Sequence, residues 1–95
     1  MIAPTAVLSL CADVRYRTVG EEMVLLSQAR GEVMVLNPVA AFVVAAFDGA
    51  TSLAAIASRV AEAFEVSAEE ALADVVTFAA RLVELSVAEV HGTDR

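Results

Sequence analysis

One stretch limits the fold more than any other: Gly31-Glu32-Val33-Met34-Val35-Leu36-Asn37-Pro38. Gly31 can adopt the positive φ that a hairpin turn requires. Val33 to Leu36 is an apolar run, β-branched at Val33 and Val35, suited to a pleated surface. Asn37 is a good N-cap, and Pro38 at the first helical position has its φ preset and needs no donor there. A strand must therefore give way to a helix within two residues. The same strand is the candidate contact surface.

Upstream, Val14-Arg15-Tyr16-Arg17-Thr18 alternates apolar and basic, the period of a half-buried strand. Gly20-Glu21 marks a turn, and Met23 to Leu26 reads as a second strand. Ser27 to Gly31 is a hairpin loop leading to the third, Val33 to Leu36. Met1 to Asp13 contains Pro4 and no clean period and reads as irregular. Downstream the pattern is helical. Helix one is expected from Pro38 to about Phe47, with Gly49 as a left-handed cap. Thr51 or Ser52 caps helix two, whose apolar stripe is Leu53, Ile56, Val60 and Phe64. Ser67 to Glu70 is a capping box opening helix three, which is expected to run to about Leu85. Val87 to Val90 is either a terminal strand or a packed-down tail, and residues 91–95 read as frayed.

The fold class expected is α+β, winged helix-turn-helix-like: a three-stranded antiparallel sheet followed by three helices. Residues 1–95 form a single domain, with 1–12 and 91–95 irregular.

Charge removes several functions. The chain carries a net charge of −7, no lysine, and six arginines scattered at 15, 17, 30, 59, 81 and 95. Nucleic-acid binding relies on clustered cations, and helix three has only Arg81 against Glu69, Glu70, Asp74 and Glu84. Neither nucleic acid nor an anionic membrane surface is an expected partner. The longest apolar run, Val39 to Phe47, is too short to span a bilayer. The single Cys11 rules out an internal disulfide and fits a reducing, cytoplasmic setting.

No catalytic constellation stands out. His91 is the only histidine and sits in the expected tail. There is no phosphate-binding glycine loop and no cluster with metal-ligand spacing, so no catalytic residue, metal or cofactor is assigned. Arg15 and Arg17 share one strand face, either as a solvated face or as a contact to an acidic partner. The third strand, as the last of a meander, is an edge with unpaired backbone groups. Helix three has an unusually wide apolar arc. Leu72, Val75, Val76, Ala79, Leu82 and Val83 form a stripe that Ala71, Phe78 and Leu85 extend sideways, bordered by Asp74 and Arg81. Edge and flank together would make a groove able to take an extended peptide by strand addition.

Val24-Leu25-Leu26, Gly31 with Val33 to Pro38, Phe47-Asp48-Gly49, Ala54-Ala55-Ile56, and Asp74-Val75 with Phe78 and Leu82 together resemble the PqqD-like family of RiPP recognition elements. The resemblance covers roughly residues 4–90. It implies a non-catalytic adaptor for the leader peptide of a ribosomally made precursor. The leader would pair with Glu32, Val33, Met34, Val35 and Leu36, beside Ala71, Asp74, Val75, Phe78 and Arg81 on helix three. It also implies delivery to a maturation enzyme: a radical SAM enzyme in pyrroloquinoline quinone biosynthesis, or a protease or cyclase in lasso-peptide pathways. Two departures stand out. Ser86 precedes Val87 where relatives often carry glycine, and the third strand lacks the aromatic residue many relatives have. The alternatives are a winged-helix regulator or a small structural subunit that binds another protein.

Overall fold

The computed structural model describes residues 2–93. The expected meander is present. Strands β2 (Val14–Val19), β3 (Glu22–Ser27) and β4 (Glu32–Leu36) pair antiparallel in the order β2-β3-β4. The β3–β4 register is regular, with Met23 opposite Leu36, Leu25 opposite Met34 and Ser27 opposite Glu32. Gly31 turns the chain at φ +66°, and its N–H donates to the Ser27 carbonyl at 2.8 Å.

A second sheet was not expected. β1 (Ala6–Leu10), β5 (Asp48–Ser52) and β6 (Ala88–Thr93) assemble antiparallel in the order β5-β1-β6. The expectation of irregular segments at 1–12 and 91–95 is therefore corrected for 6–10 and 91–93; residues 94 and 95 lie outside the described residues. β1 is the central strand and begins with three buried residues, Ala6, Val7 and Leu8. A strand covered on both sides shows an apolar run rather than alternation. The pairing Ala6↔Thr93 spans nearly the whole chain, and no local pattern reports it. β5 is Asp-Gly-Ala-Thr-Ser, a sequence with little intrinsic strand preference, held by its ladder to β1.

The three helices are α1 (Pro38–Ala45), α2 (Leu53–Phe64) and α3 (Ala68–Glu84). Their N-caps follow the sequence chemistry. Asn37 accepts from Ala40 N, Ser52 from Ala55 N, and Ser67 from Glu70 N. Helix one ends earlier than expected. Its C-cap is Ala46 in a right-handed conformation, and Gly49, at φ +73°, lies within β5 instead of capping the helix. A side chain at Gly49 would meet the His91 ring at 3.6 Å, so β6 passes close by.

The core joins both sheets to the helices through Leu8, Met23, Leu25, Leu53, Ile56 and Leu82, all buried. On α3 the buried line is Ala71, Val75, Ala79 and Leu82, with Leu72, Val76 and Val83 half-buried beside it. The core stripe is thus turned slightly toward Ala71 relative to the expected one, and Ala71 belongs to the core instead of its margin.

Candidate functional site

β4 is the outer strand of its sheet, paired with β3 on one side. Its side chains alternate as the strand geometry demands. Met34 and Leu36 face inward, half-buried and 4% exposed, whereas Val33 and Val35 on the other face are 63% and 68% exposed. Glu32, exposed at the start of the strand, pairs with Arg30 at 3.2 Å. Leu36 is a core anchor, so a ligand on this edge would meet its backbone more than its side chain.

α3 runs alongside β4 in the opposite direction, as two observations at opposite ends show. Arg30 Nη1, just before β4, donates to the carbonyl oxygen of Leu85, just after α3, at 3.2 Å. At the other end a groove of about 240 Å³ opens between the β4–α1 junction and the first half of α3. Its lining is Asn37, Val39, Ala40 and Val43 from the β4–α1 junction and α1, Val60 and Phe64 from α2, Val66 just after α2, and Ala71, Asp74, Val75 and Phe78 from α3.

The residues expected from helix three separate into three groups. Ala71 and Val75, 1% and 2% exposed, are a buried floor. Phe78 is half-buried: it packs on the core and also lines the groove. Asp74 is exposed at the rim. Arg81 is not gathered with them. Its side chain lines a shallow depression on another face of α3, with Ile2, Val76, Thr77, Ala80 and Glu84.

The α1 and α2 residues were missed. The signal available was α1 itself, Pro-Val-Ala-Ala-Phe-Val-Val-Ala, apolar all round. Such a helix must be covered on more than one side. Its second side faces a further cavity of about 300 Å³ with Pro38, Ala41, Phe42 and Ala45 on its wall. Phe42 and Phe64 meet edge to face with ring centroids 5.5 Å apart, and Phe64 lines both cavities.

One polar cluster invites a catalytic reading. Ser9 Oγ lies 2.6 Å from His91 Nε2, and Glu89 Oε1 lies 3.9 Å from that same nitrogen. A nucleophile–base–acid relay needs serine and carboxylate on different ring nitrogens. This arrangement is therefore a surface contact between β1 and β6. Cys11 is an equally poor nucleophile: partial burial, and then the Glu89 and Asp13 carboxylates, push its thiol upward from the ordinary range. No group of metal-ligating side chains occurs among the described residues, and no described helix is long and apolar enough to cross a membrane.

Residues 22–87, more than half of the chain, match the family described as Coenzyme PQQ synthesis protein D (PqqD). The chain belongs to the PqqD family. The matched segment begins with β3 and ends just after α3, so the PqqD region contains the β4 edge, the groove and Ser86. Curated proteins give no match. Among solved structures, this PqqD-family chain is similar to the one described as "TbiB1 in Complex with the TbiA(beta) Leader Peptide", with a TM-score of 0.78 and 16% identity, over 92% of this chain and 99% of that one. At that identity the likeness establishes a shared fold.

Proposed function

We propose that this chain is a non-catalytic adaptor that binds the leader segment of a ribosomally synthesised precursor peptide. The leader adds as an antiparallel strand to β4 beside α3, and the adaptor presents it to a maturation enzyme: a radical SAM enzyme, a protease or a cyclase. The observation that carries this reading is the open β4 edge lying along α3 with an apolar groove at one end. Backbone groups on the edge supply affinity for any extended chain, and the groove supplies selectivity for side chains. The family membership and the fold shared with a leader-bound protein support it. Work in the cytoplasm suits the free thiol of Cys11.

The regulator alternative draws no support from the charge. α3, the helix that would enter a groove of DNA, carries Glu69, Glu70, Asp74 and Glu84 against Arg81.

The test is an N-methyl scan of a candidate leader, taken from any short precursor frame found beside the gene, read by calorimetric titration. In an added strand, alternate amides face the partner strand. Methylating those should weaken binding, while methylating the intervening ones should not. Leader binding with no period-two pattern would remove strand addition, and absence of binding would remove the adaptor reading.

A further inference from the structure

The groove has one charged wall residue. Nine of the eleven groove residues are apolar, and the polar two are Asn37 and Asp74. The side-chain oxygen of Asn37 is engaged in capping α1 through Ala40 N at 2.9 Å. Asp74 has no such role. It is the seventh residue of α3, counting from Ala68, beyond the first turn where a carboxylate gains from the helix dipole. Aspartate is also a poor helix former at an interior position. Among the described residues no hydrogen bond or ion pair engages its carboxylate. An unpaired anion at the rim of an apolar groove favours a ligand with a cation at that point and disfavours an acidic one.

The geometry also gives an order and a spacing. β4 runs from Glu32 to Leu36 toward the groove, and α3 runs the opposite way. A strand added antiparallel to β4 therefore runs in the same direction as α3, and meets Asp74 before Phe78. These two residues are four apart on α3, about 6 Å along its axis at 1.5 Å per residue. An extended peptide covers that distance in about two residues. Residues two apart on a strand point to the same face, so both side chains can turn toward α3 together.

We infer that Asp74 is a specificity-determining residue that selects a docked segment of the form basic–any–apolar, in N-to-C order, with the basic side chain at Asp74 and the apolar one against Phe78. This rests on the leader-binding reading and deepens it. It also provides what the backbone ladder lacks. An edge ladder tolerates slippage by two residues, because the same faces stay in place. A single charge at one end of the groove penalises every register but one.

The probe is a displayed library of random dodecapeptides selected on the intact immobilised chain. The expected result is enrichment of lysine or arginine two positions before an apolar residue. With Asp74→Asn the basic preference should vanish while the apolar one persists, and with Asp74→Lys an acidic residue should take its place. In single-peptide titrations, replacing the basic residue by alanine should cost about two- to fivefold with the native chain and nothing with Asp74→Asn. Asp74 is exposed, so the variants are expected to fold, which circular dichroism checks. Apolar enrichment with equal basic content for the native chain and Asp74→Asn would overturn the inference and leave the adaptor reading intact. Enrichment in the reverse order would overturn the stated direction. No enrichment over a denatured control would overturn both.

Discussion

Arg30 Nη1 donates to the carbonyl oxygen of Leu85 at 3.2 Å, across 55 residues of sequence. This bond fastens the start of β4 to the end of α3, the two elements that flank the candidate ligand track. Arg30 also holds Glu32 at 3.2 Å, so one guanidinium serves both the helix exit and the first residue of the strand. Arg30→Ala should lower stability by no more than about 1 kcal/mol, because the pair is largely exposed. Its effect on leader binding should be larger in proportion, through faster dissociation, since the spacing of strand and helix is no longer tied. Denaturant melts and stopped-flow binding measure the two separately. An unchanged dissociation rate would show that the tether does not set the track.

Phe78 stands between core and groove, half-buried and in contact with both. Truncating a fully buried phenylalanine costs about 3–5 kcal/mol. Phe78→Ala should cost less, on the order of 1–3 kcal/mol, with a clear loss of leader affinity in the fraction that remains folded. Phe78→Leu keeps most of the apolar volume and should recover stability better than affinity. Equal recovery of both would argue that Phe78 acts through the core alone.

Ser86 holds a left-handed backbone at φ +59° as the chain leaves α3. Val87 N donates to the Leu82 carbonyl at 2.9 Å, closing the helix end in the manner usually served by glycine. A side chain in that conformation costs about 1 kcal/mol, and glycine avoids it. Ser86→Gly should therefore stabilise the protein by about 0.5–1 kcal/mol in chemical denaturation, the gain being trimmed by the extra freedom of glycine in the unfolded chain. The exit geometry of α3, and with it leader affinity, should not change.

Asp48 gathers three donors onto its carboxylate: Ala50 N at 2.9 Å, Thr51 N at 2.8 Å and Thr51 Oγ1 at 2.9 Å. The bonds from Ala50 and then Thr51 hold its pKa below the ordinary aspartate range. A group whose native pKa is lowered contributes stability above its unfolded pKa, about 4, and loses that contribution as pH falls through the native pKa. Asp48→Asn should be less stable than the native chain near pH 6, and the difference should shrink below about pH 4. Thermal melts across that window decide it; a gap that stays constant with pH would remove the linkage.

Much of the fold could be read from local chemistry. Asn37, Ser52 and Ser67 announce the three helix starts, and the turn at Gly31 with the strands around it announces the meander, although β2 lacks the half-burial its alternation predicts: beyond Val14 it is exposed on both faces, Tyr16 included. β1 could not be read this way. A central strand shows no alternation, and its partners lie more than 40 and 80 residues away, at Ser52 and Thr93. For the candidate site, period and edge position pointed to β4 and the flank of α3, because strand faces and helix faces follow from spacing. Arg81 lies at the boundary of that flank, and a long flexible side chain there can turn either way; it turns outward. The α1 and α2 contributions, Val39, Val43 and Phe64, depend on how the helices pack. That packing is a tertiary fact without a linear signature.

The neighbouring β1 and β6 strands have a consequence for engineering. Ala6 sits opposite Thr93, so the two ends of the described chain emerge side by side from the β5-β1-β6 sheet. No residue of that sheet lines the groove. A short linker could join the ends into a circular permutant, with new termini cut at the Gly20-Glu21 turn. Equally, the domain could be spliced into a loop of a host enzyme as a cassette. Both connections would leave through one portal, in a sheet that contributes nothing to the groove lining.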